Sequence, residues 1–270
     1  MGNFFDIDYL PFYLFKKKMI SKIEYKKYLE KFHLIFDEER ICKIFLITNM
    51  FADAIGDEDE LLYYSSAYLY LYIKSMDDAV DQKDHKALRK LLETFDYQNK
   101  SWELFIKYCD QSKFELYWNK YLSLTKEALQ NRLDKKSVDI SELWKMSSFM
   151  CLTPAALCIK HNKIDDIELW EKFVSNLFCA IQIVDDVLDL LEDCKNNVFN
   201  VFESFLSKYQ GRIEYIPMFH SVESKLIEKA SLYIDDALIN AESLSGTKWI
   251  AYCNNLKNQL ASVKNLSHIS

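Results

Sequence analysis

The sequence has very few of the residues that interrupt a chain. It contains only four glycines and three prolines in 270 residues, whereas average usage of about 7% glycine and about 5% proline would give a dozen or more of each. A sheet of many strands needs tight turns that depend on these residues, so their scarcity argues against such a sheet. Helices joined by short polar loops need few of them, and we therefore predict an all-α fold.

Long apolar runs and a basic charge balance are also lacking. No run approaches the roughly 18 uncharged apolar residues that a membrane-spanning helix needs, and the first residues do not form a basic region followed by an apolar one. The formal net charge of −7 argues against nucleic acid as a partner, because phosphate binding requires a basic face. We expect a cytoplasmic protein without a membrane span.

The cysteines do not show the arrangement of a disulfide framework. Their number, seven, is odd, and they occur in apolar contexts such as Phe149-Met150-Cys151-Leu152 rather than at paired spacings. Such residues are typical of reduced thiols in the core of a cytosolic protein. Half of the residues are hydrophobic, and we expect residues 1–270 to form a single domain around one large core.

Apolar residues recur at three- and four-residue steps along most of the chain, which is the spacing of one helical face. The two clearest stripes lie in residues 61–76 and 173–191. Gly56-Asp57 and His161-Asn162 are typical of helix ends. The pattern predicts about eight to ten helices and no internal repeat.

The first stripe runs into an acidic cluster, Asp77-Asp78-Ala79-Val80-Asp81. On a helix Asp77 and Asp81 lie one turn apart on the same face. Unbalanced, the two carboxylates would repel each other, and a solvated acidic helix end is the alternative to a functional site. A hard divalent cation is one charge that would make the arrangement favourable.

The second stripe also ends in aspartates. Asp185, Asp189 and Asp193 repeat every four residues and again share one face. Two such clusters, each at the end of an apolar helix, predict a cavity rimmed by carboxylates. It would hold magnesium and, through the metal, a diphosphate whose hydrocarbon chain lies in the apolar interior.

The two clusters resemble the two aspartate motifs of trans-isoprenyl diphosphate synthases and the metal-binding motifs of class I terpene synthases. The segment 181–189 is similar to the second motif of the synthases and Asp77–Asp81 to their first. Lys145-Met146, followed by Pro154, is similar to their Lys-Thr helix. The resemblance covers residues 38–193. It implies an isoprenoid-synthase-type helical bundle around a central apolar cavity, with three Mg²⁺ ions bound together with a diphosphate.

The resemblance also implies which residues act. The catalytic aspartates are Asp77, Asp78, Asp81, Asp185, Asp186 and Asp189. The metal ligands are Asp77, Asp81, Asp185, Asp189 and Asp193. The substrate contacts are Lys86, Lys145, Gln182 and Lys195, with Arg132 as a further cation. Tyr72, backed by Tyr68, stands where an aromatic side chain closes the cavity floor in the family, which implies a fifteen-carbon substrate.

Departures from the family pattern bear on the reaction. Glu39 and Cys42 stand where the family has a lysine and an arginine that bind isopentenyl diphosphate, and Ala87 stands where it has a further arginine. Charged contacts of this kind contribute about 1.5–3 kcal/mol each, so losing two or three weakens binding a hundredfold or more. Chain elongation with isopentenyl diphosphate is therefore disfavoured.

We expect magnesium-dependent ionisation of an allylic prenyl diphosphate, with farnesyl diphosphate preferred, followed by cyclisation or rearrangement to a terpene. Two alternatives stay open: transfer of the prenyl group to an acceptor other than isopentenyl diphosphate, and a role as the non-catalytic subunit of a heteromeric prenyl diphosphate synthase. A homodimer is compatible with the sequence. Because the clusters should repel themselves when empty, replacing Asp77 or Asp185 by asparagine should leave the melting temperature unchanged or raised.

Overall fold

The computed structural model describes residues 38–57, 59–82, 85–134, 136, 138–190, 200–201 and 216–266. Within these ranges all regular structure is helical and no strand occurs, which confirms the predicted all-α class. The α-helices of these ranges are α1 Glu38–Ile55, α2 Glu60–Gln82, α3 His85–Glu93, α4 Tyr97–Tyr108, α5 Gln111–Leu133, α6 Leu152–Lys160, α7 Ile167–Leu188, α8 Ile216–Ser243 and α9 Thr247–Leu266. Two 3-10 helices, Ile140–Cys151 and Ile164–Asp166, precede α6 and α7.

The chain divides into two compact units, each discontinuous in sequence. The first unit takes in the chain up to Tyr117 together with Leu152–Ile164, and the second takes in Trp118–Cys151 and the chain from Asp165 onward. The first unit therefore contains the first aspartate cluster, and the second unit contains the second cluster. The single domain predicted for residues 1–270 stays a prediction.

The core of the first unit is α6, whose residues from Leu152 to Ile159 are all buried. It packs against α1, α2 and α4. The hydroxyl groups of Ser66 on α2 and Thr153 on α6 lie 2.8 Å apart and form a buried hydrogen bond. Ser101 of α4 donates to the backbone oxygen of Ser65 at 2.8 Å. These bonds satisfy polar groups that would otherwise be buried without partners, and they hold α2 against both neighbours.

Two helix ends of the first unit follow the sequence prediction. Gly56 adopts a φ of 84° directly after α1, and the backbone N–H of Asp57 donates to the oxygen of Ala52. Asn162, with a φ of 57°, closes α6 in the same way. Both positions need the left-handed backbone conformation, which glycine and asparagine adopt most readily.

The start of α2 is tied to other helices of the first unit through Asp57. Its carboxylate accepts hydrogen bonds from the Tyr108 hydroxyl at 2.9 Å and from His161 Nε2 at 2.7 Å, and it lies 2.9 Å from Lys160 Nζ. Burial acts to raise the pKa of Asp57, but the bonds from His161 and Lys160 outweigh it and hold the pKa well below its usual range. The charged network therefore fixes the loop from which α2 begins.

The core of the second unit is α7, which packs against α8 and against the 3-10 helix Ile140–Cys151. The predicted apolar stripe is buried along α7 at Phe173, Leu177, Ala180 and Val184. The ring of Phe173 contacts that of Trp249 on α9 with centroids 5.0 Å apart. The stripe leads to the end of α7 at Leu188, so its buried face positions the acidic residues that follow.

The cysteines whose side chains are described agree with the prediction of core thiols. Cys151, Cys158, Cys179 and Cys253 are buried and Cys109 is partly buried. Burial raises the pKa of Cys179 and of Cys253 to about 12, which keeps both thiols protonated at neutral pH. No helix within the described ranges combines the length and apolar character that crossing a membrane requires.

Candidate functional site

The first aspartate cluster lies at the C-terminal end of α2, and a lysine one turn earlier contacts it. Nζ of Lys74 lies 2.5 Å from Oδ2 of Asp77 and 3.6 Å from Oδ1 of Asp78. Separations of three and four residues place all three side chains on one side of the helix. Asp77 and Asp78 are both buried, so Lys74 supplies a positive charge where the sequence analysis expected mutual repulsion.

A second lysine reaches the same cluster from α3. This short helix buries Ala87, and its Lys90 lies with Nζ 3.3 Å from Oδ2 of Asp78. Two ammonium groups thus contact the two aspartates of this cluster whose side chains are described. Asp81 belongs to α2, but its side chain is outside the described set, as are those of Glu39 and Cys42.

The ammonium of Lys74 is held in its charged form. Burial acts to lower its pKa, but the carboxylates of Asp77 and Asp78 raise it more, so the pKa lies above its ordinary value. Lys74 is therefore a cation throughout the physiological range. The sequence contained the signal for this contact, because Lys74 precedes Asp77 and Asp78 at helical spacing.

The second cluster lies at the end of α7, where Asp185 is half-buried and Asp189 is exposed. Asp189 follows the last helical residue, and its backbone N–H donates to the oxygen of Asp185 at 2.8 Å. The two side chains come from positions one helical turn apart, as predicted. The predicted ligand Asp193 and the predicted substrate contact Lys195 lie outside the described residues.

Asp186 differs from its neighbour Asp185 because it is buried, with 4% of its surface exposed. Its Oδ1 accepts a hydrogen bond from Gln182 Nε2 at 2.7 Å, and its Oδ2 accepts one from the backbone N–H of Val201 at 2.7 Å. Asn200 also donates to its backbone oxygen at 2.6 Å. Both carboxylate oxygens are thus engaged, a geometry that favours a structural role for Asp186 over the predicted catalytic one.

Lys145 lies in the twelve-residue 3-10 helix Ile140–Cys151. Side chains three residues apart eclipse each other in such a helix, which places Glu142 beside Lys145 at 2.7 Å, and Glu127 of α5 approaches to 3.1 Å. The bond to Glu142, helped by Glu127, raises the pKa of Lys145 even though burial acts to lower it. Lys145 therefore carries a permanent positive charge.

A pocket in the second unit brings three predicted substrate contacts together. Arg132, Lys145 and Gln182 line it together with Glu142 and the apolar Leu143 and Met146. These residues come from α5, the 3-10 helix and α7. The amide of Gln182 also holds Asp186, so this residue joins the pocket wall to the second aspartate cluster.

The predicted substrate contacts of the first unit are Lys86 on α3 and Tyr72, backed by Tyr68, on α2. Lys86 is exposed on α3. Tyr72 precedes Asp77 by five residues, which at 3.6 residues per turn places it about 140° away around α2. Tyr68, one turn below Tyr72 on the same side, packs against the ring of Tyr97 on α4 with centroids 4.9 Å apart. Tyr72 and Tyr68 therefore lie on another side of α2 than Asp77, and their role at the cavity floor stays a prediction.

Tyr70 lies on the same side of α2 as Asp77. It precedes Asp77 by seven residues and lies within about 20° of it around the helix axis. Its hydroxyl is close enough to Lys74 to raise the pKa of that lysine. The stripe that leads along α2 to the first aspartate cluster therefore consists of Ser66, Tyr70 and Lys74.

Comparison with solved structures identifies the fold. The geranylgeranyl pyrophosphate synthetase from the archaeon Geoglobus acetivorans matches with a TM-score of 0.64 and 13% sequence identity, covering 87% of this chain and 96% of that one. The chain has the isoprenoid synthase fold. The resemblance drawn from the two aspartate motifs is thereby confirmed at the level of the fold. No protein-family model matches the chain, and no curated protein is detectably similar in sequence.

The aspartates of both clusters are the type of ligand that magnesium prefers, but the two clusters differ in the charged groups around them. Carboxylate oxygens are the ligands that Mg²⁺ prefers, and both clusters provide them. Within the described part of the chain, however, no three histidine, cysteine, aspartate or glutamate side chains form a group suited to a metal. Lysines contact the first cluster. In the second cluster, Asp185 near the end of α7 and Asp189 directly after it are carboxylates one turn apart.

Proposed function

We propose that this protein ionises an allylic prenyl diphosphate in the presence of Mg²⁺, releases diphosphate and converts the hydrocarbon to a terpene by cyclisation or rearrangement. The observation that carries the proposal is an isoprenoid synthase fold in which an acidic cluster ends both α2 and α7. The pocket lined by Arg132, Lys145 and Gln182 supports it, because Gln182 also bonds to Asp186 of the second cluster. At 13% identity the structural match supports the fold, so the reaction must be argued from these residues.

The chemistry requires that the bond between the allylic carbon and the diphosphate oxygen breaks, with both electrons leaving on the oxygen. Fixed positive charges stabilise the negative charge that develops there without transferring a proton. Arg132 and Lys145 line one pocket. The raised pKa of Lys145 keeps it protonated, and the diphosphate would replace Glu142 and Glu127 as its partner. Mg²⁺, held by Asp185 and Asp189, would add further stabilisation of the departing diphosphate.

The proposal favours ionisation over chain elongation because a contact for a second diphosphate is missing. Ala87 stands at a position where the resembling synthases have an arginine, and it is buried in α3 with 2% of its surface exposed. It can neither attract nor hydrogen bond an anion. The lost charge supports a reaction that does not use isopentenyl diphosphate.

The resemblance of the aspartate motifs suggests the length of the substrate. In the synthases that these motifs resemble, an aromatic side chain shortly before the first motif closes the cavity, and α2 carries Tyr70 and Tyr72 in this region. We propose a fifteen-carbon allylic diphosphate as the substrate, with Tyr70, which lies on the same side of α2 as Asp77, as the residue that limits its length.

The test of the reaction is incubation of the purified protein with ten-, fifteen- and twenty-carbon allylic diphosphates, each with and without isopentenyl diphosphate. Diphosphate release is measured, and the extract is analysed by gas chromatography with mass spectrometry. A terpene from the fifteen-carbon substrate, lost on addition of EDTA, is expected. A longer prenyl diphosphate would overturn the proposal, and absence of diphosphate release from every substrate would favour the non-catalytic subunit.

The test of substrate length compares two tyrosines on opposite sides of α2. Tyr70→Ala should allow the twenty-carbon substrate to react, because it opens space along the stripe that leads to Asp77. Tyr72→Ala removes the same ring about 140° away and should leave the preference unchanged. If Tyr72→Ala shifted the preference and Tyr70→Ala did not, the hydrocarbon would lie against the other face of α2.

A further inference from the structure

The first aspartate cluster is covered by its own lysine. The side chain of Lys74 is 35% exposed, whereas those of Asp77 and Asp78 are 12% and 8% exposed. The ammonium lies within 4 Å of both carboxylates. A cation that binds these oxygens must therefore approach a positive charge that already contacts them.

We propose that Lys74 is a resident cation of this cluster, which takes the place of a divalent ion and lowers the affinity of the cluster for such ions. The inference rests on the proposed function, because it concerns the metal ions that would accompany the diphosphate. It departs from the resemblance, which implies three magnesium ions. The protein would bind its diphosphate with fewer divalent ions than that number.

Charge balance supports the inference. Among the described side chains of this cluster, Asp77 and Asp78 contribute two negative charges, and Lys74 and Lys90 contribute two positive charges within 4 Å of them. A divalent ion that binds Asp77 must displace the ammonium of Lys74 or lie beside it, and both outcomes are unfavourable at this separation. A magnesium ion also requires near-octahedral oxygen coordination, which a lysine bound to the same Oδ2 obstructs.

The two lysines should differ in their effect. Lys74 contacts both aspartates and approaches Asp77 to 2.5 Å, whereas Lys90 contacts Asp78 alone among the described pairs, at 3.3 Å. Removal of Lys74 should therefore strengthen metal binding more than removal of Lys90. This gradation separates a specific effect of Lys74 from a general change in the charge of the protein.

The experiment is a titration of the full chain with Mn²⁺, with the free ion followed by electron paramagnetic resonance and no allylic substrate present. It compares the wild type with Lys74→Met, Lys74→Arg, Lys90→Met and Lys100→Met, first without and then with inorganic pyrophosphate. Lys100 is a matched control, because it lies in the same unit over the rings of Tyr68 and Tyr97. Its replacement removes one positive charge from another side of α2.

Lys74→Met should lower the Kd for Mn²⁺ at least about tenfold, since a neighbouring positive charge is removed from the ion. Lys90→Met should lower the Kd less, and Lys74→Arg and Lys100→Met should match the wild type. Equal Kd values for Lys74→Met and Lys100→Met would overturn the inference. The proposed function would stand in that case, provided that the wild type bound Mn²⁺ together with pyrophosphate.

Failure of the proposed function gives a different result. If neither the wild type nor any variant bound Mn²⁺, with or without pyrophosphate, both the function and the inference would be overturned. Circular dichroism checks that each variant is folded. Should Lys74→Met fail to fold, Lys74→Gln keeps a polar side chain of similar length at this partly exposed position, and its Kd decides the matter by the same criterion.

Discussion

The two aspartate clusters are alike in sequence and differ in what holds them. At the end of α2, Asp77 and Asp78 are bonded to the charged side chains of Lys74 and Lys90. At the end of α7, Asp186 is bonded to an amide and to a backbone N–H. Positive partners cancel the charge of a carboxylate, whereas neutral donors orient it and leave its charge in place.

This difference shows that an aspartate motif does not by itself define a metal site. The same spacing of carboxylates can bind a cation from solution or can be satisfied by a lysine of the same chain. In the second cluster Asp186 is buried and bonds to Gln182 and Val201, while Asp185 is half-buried and Asp189, directly after α7, is exposed. We therefore expect the second cluster to dominate metal binding.

The largest expected effect compares one aspartate from each cluster in catalysis. Asp185→Asn should reduce the rate of diphosphate release from the fifteen-carbon substrate by about a thousandfold or more, because it removes a carboxylate that would hold Mg²⁺. Asp77→Asn should reduce it less, about tenfold, since Lys74 already neutralises this carboxylate. Steady-state rates of diphosphate release measure both, and equal losses would show that the lysine does not shield the first cluster.

The next effect concerns stability and the buried member of the second cluster. Asp186→Ala removes the acceptor for the Gln182 amide and for the buried N–H of Val201. It should lower the free energy of unfolding by about 3 kcal/mol, because hydrogen bonds to a charged group are lost and a buried donor stays unsatisfied. Urea denaturation measures the change. The exposed Asp189 is the control, and Asp189→Ala should change stability by less than about 0.5 kcal/mol.

If Asp189→Ala lowered the free energy of unfolding as much as Asp186→Ala, burial of the carboxylate would not explain the loss of stability. If Asp186→Ala were instead neutral in stability but inactive, Asp186 would be a catalytic residue, as the aspartate motif predicted. The pair of variants therefore decides between the structural and the catalytic role.

The parts of the structure that depend on local pattern could be predicted from the sequence. The scarcity of glycine and proline predicted the helical class, and Gly56 and Asn162 marked helix ends because they tolerate the left-handed conformation. Lys74 was also within reach of sequence reasoning, since it precedes the aspartates at helical spacing. The resemblance to an aspartate motif did not predict the contact between Lys74 and the aspartates, because it implies that the carboxylates bind a metal ion from solution.

Other contacts could not be predicted because they depend on tertiary structure. Lys90 of α3 contacts Asp78 of α2, which precedes it by twelve residues, a separation that no helical spacing predicts. The partners of Asp186 include residues 200 and 201, which follow it by fourteen and fifteen positions. The role of Tyr72 stays a prediction, and helix geometry adds that a separation of five residues does not return to the same face of a helix.

A smaller effect, on the stability of the Asp77 variant, reverses an expectation drawn from the sequence. Repulsion within an empty cluster predicted that Asp77→Asn would leave the melting temperature unchanged or raised. Because Asp77 pairs with Lys74, we now expect Asp77→Asn to lower the free energy of unfolding by about 1 kcal/mol, a value reduced by the partial exposure of the lysine. Asp185→Asn should still leave stability unchanged or slightly raised. A stabilised Asp77→Asn variant would mean that repulsion between the carboxylates of the first cluster outweighs their attraction to Lys74.

The smallest expected effect isolates the contact on which the contrast between the clusters depends. In a double-mutant cycle, the unfolding free energies of Lys74→Met, Asp77→Asn and the double variant are compared with that of the wild type. A direct pair that is partly screened by solvent should give a coupling energy of about 0.5–1 kcal/mol. The coupling should fall as the salt concentration rises, because salt screens the partly exposed pair.

The same cycle with Lys100→Met in place of Lys74→Met should give no coupling, since Lys100 contacts the rings of Tyr68 and Tyr97. Equal coupling energies for the two lysines would mean that Asp77 responds only to the net charge of the protein. In that case a resident cation would not distinguish the first cluster from the second.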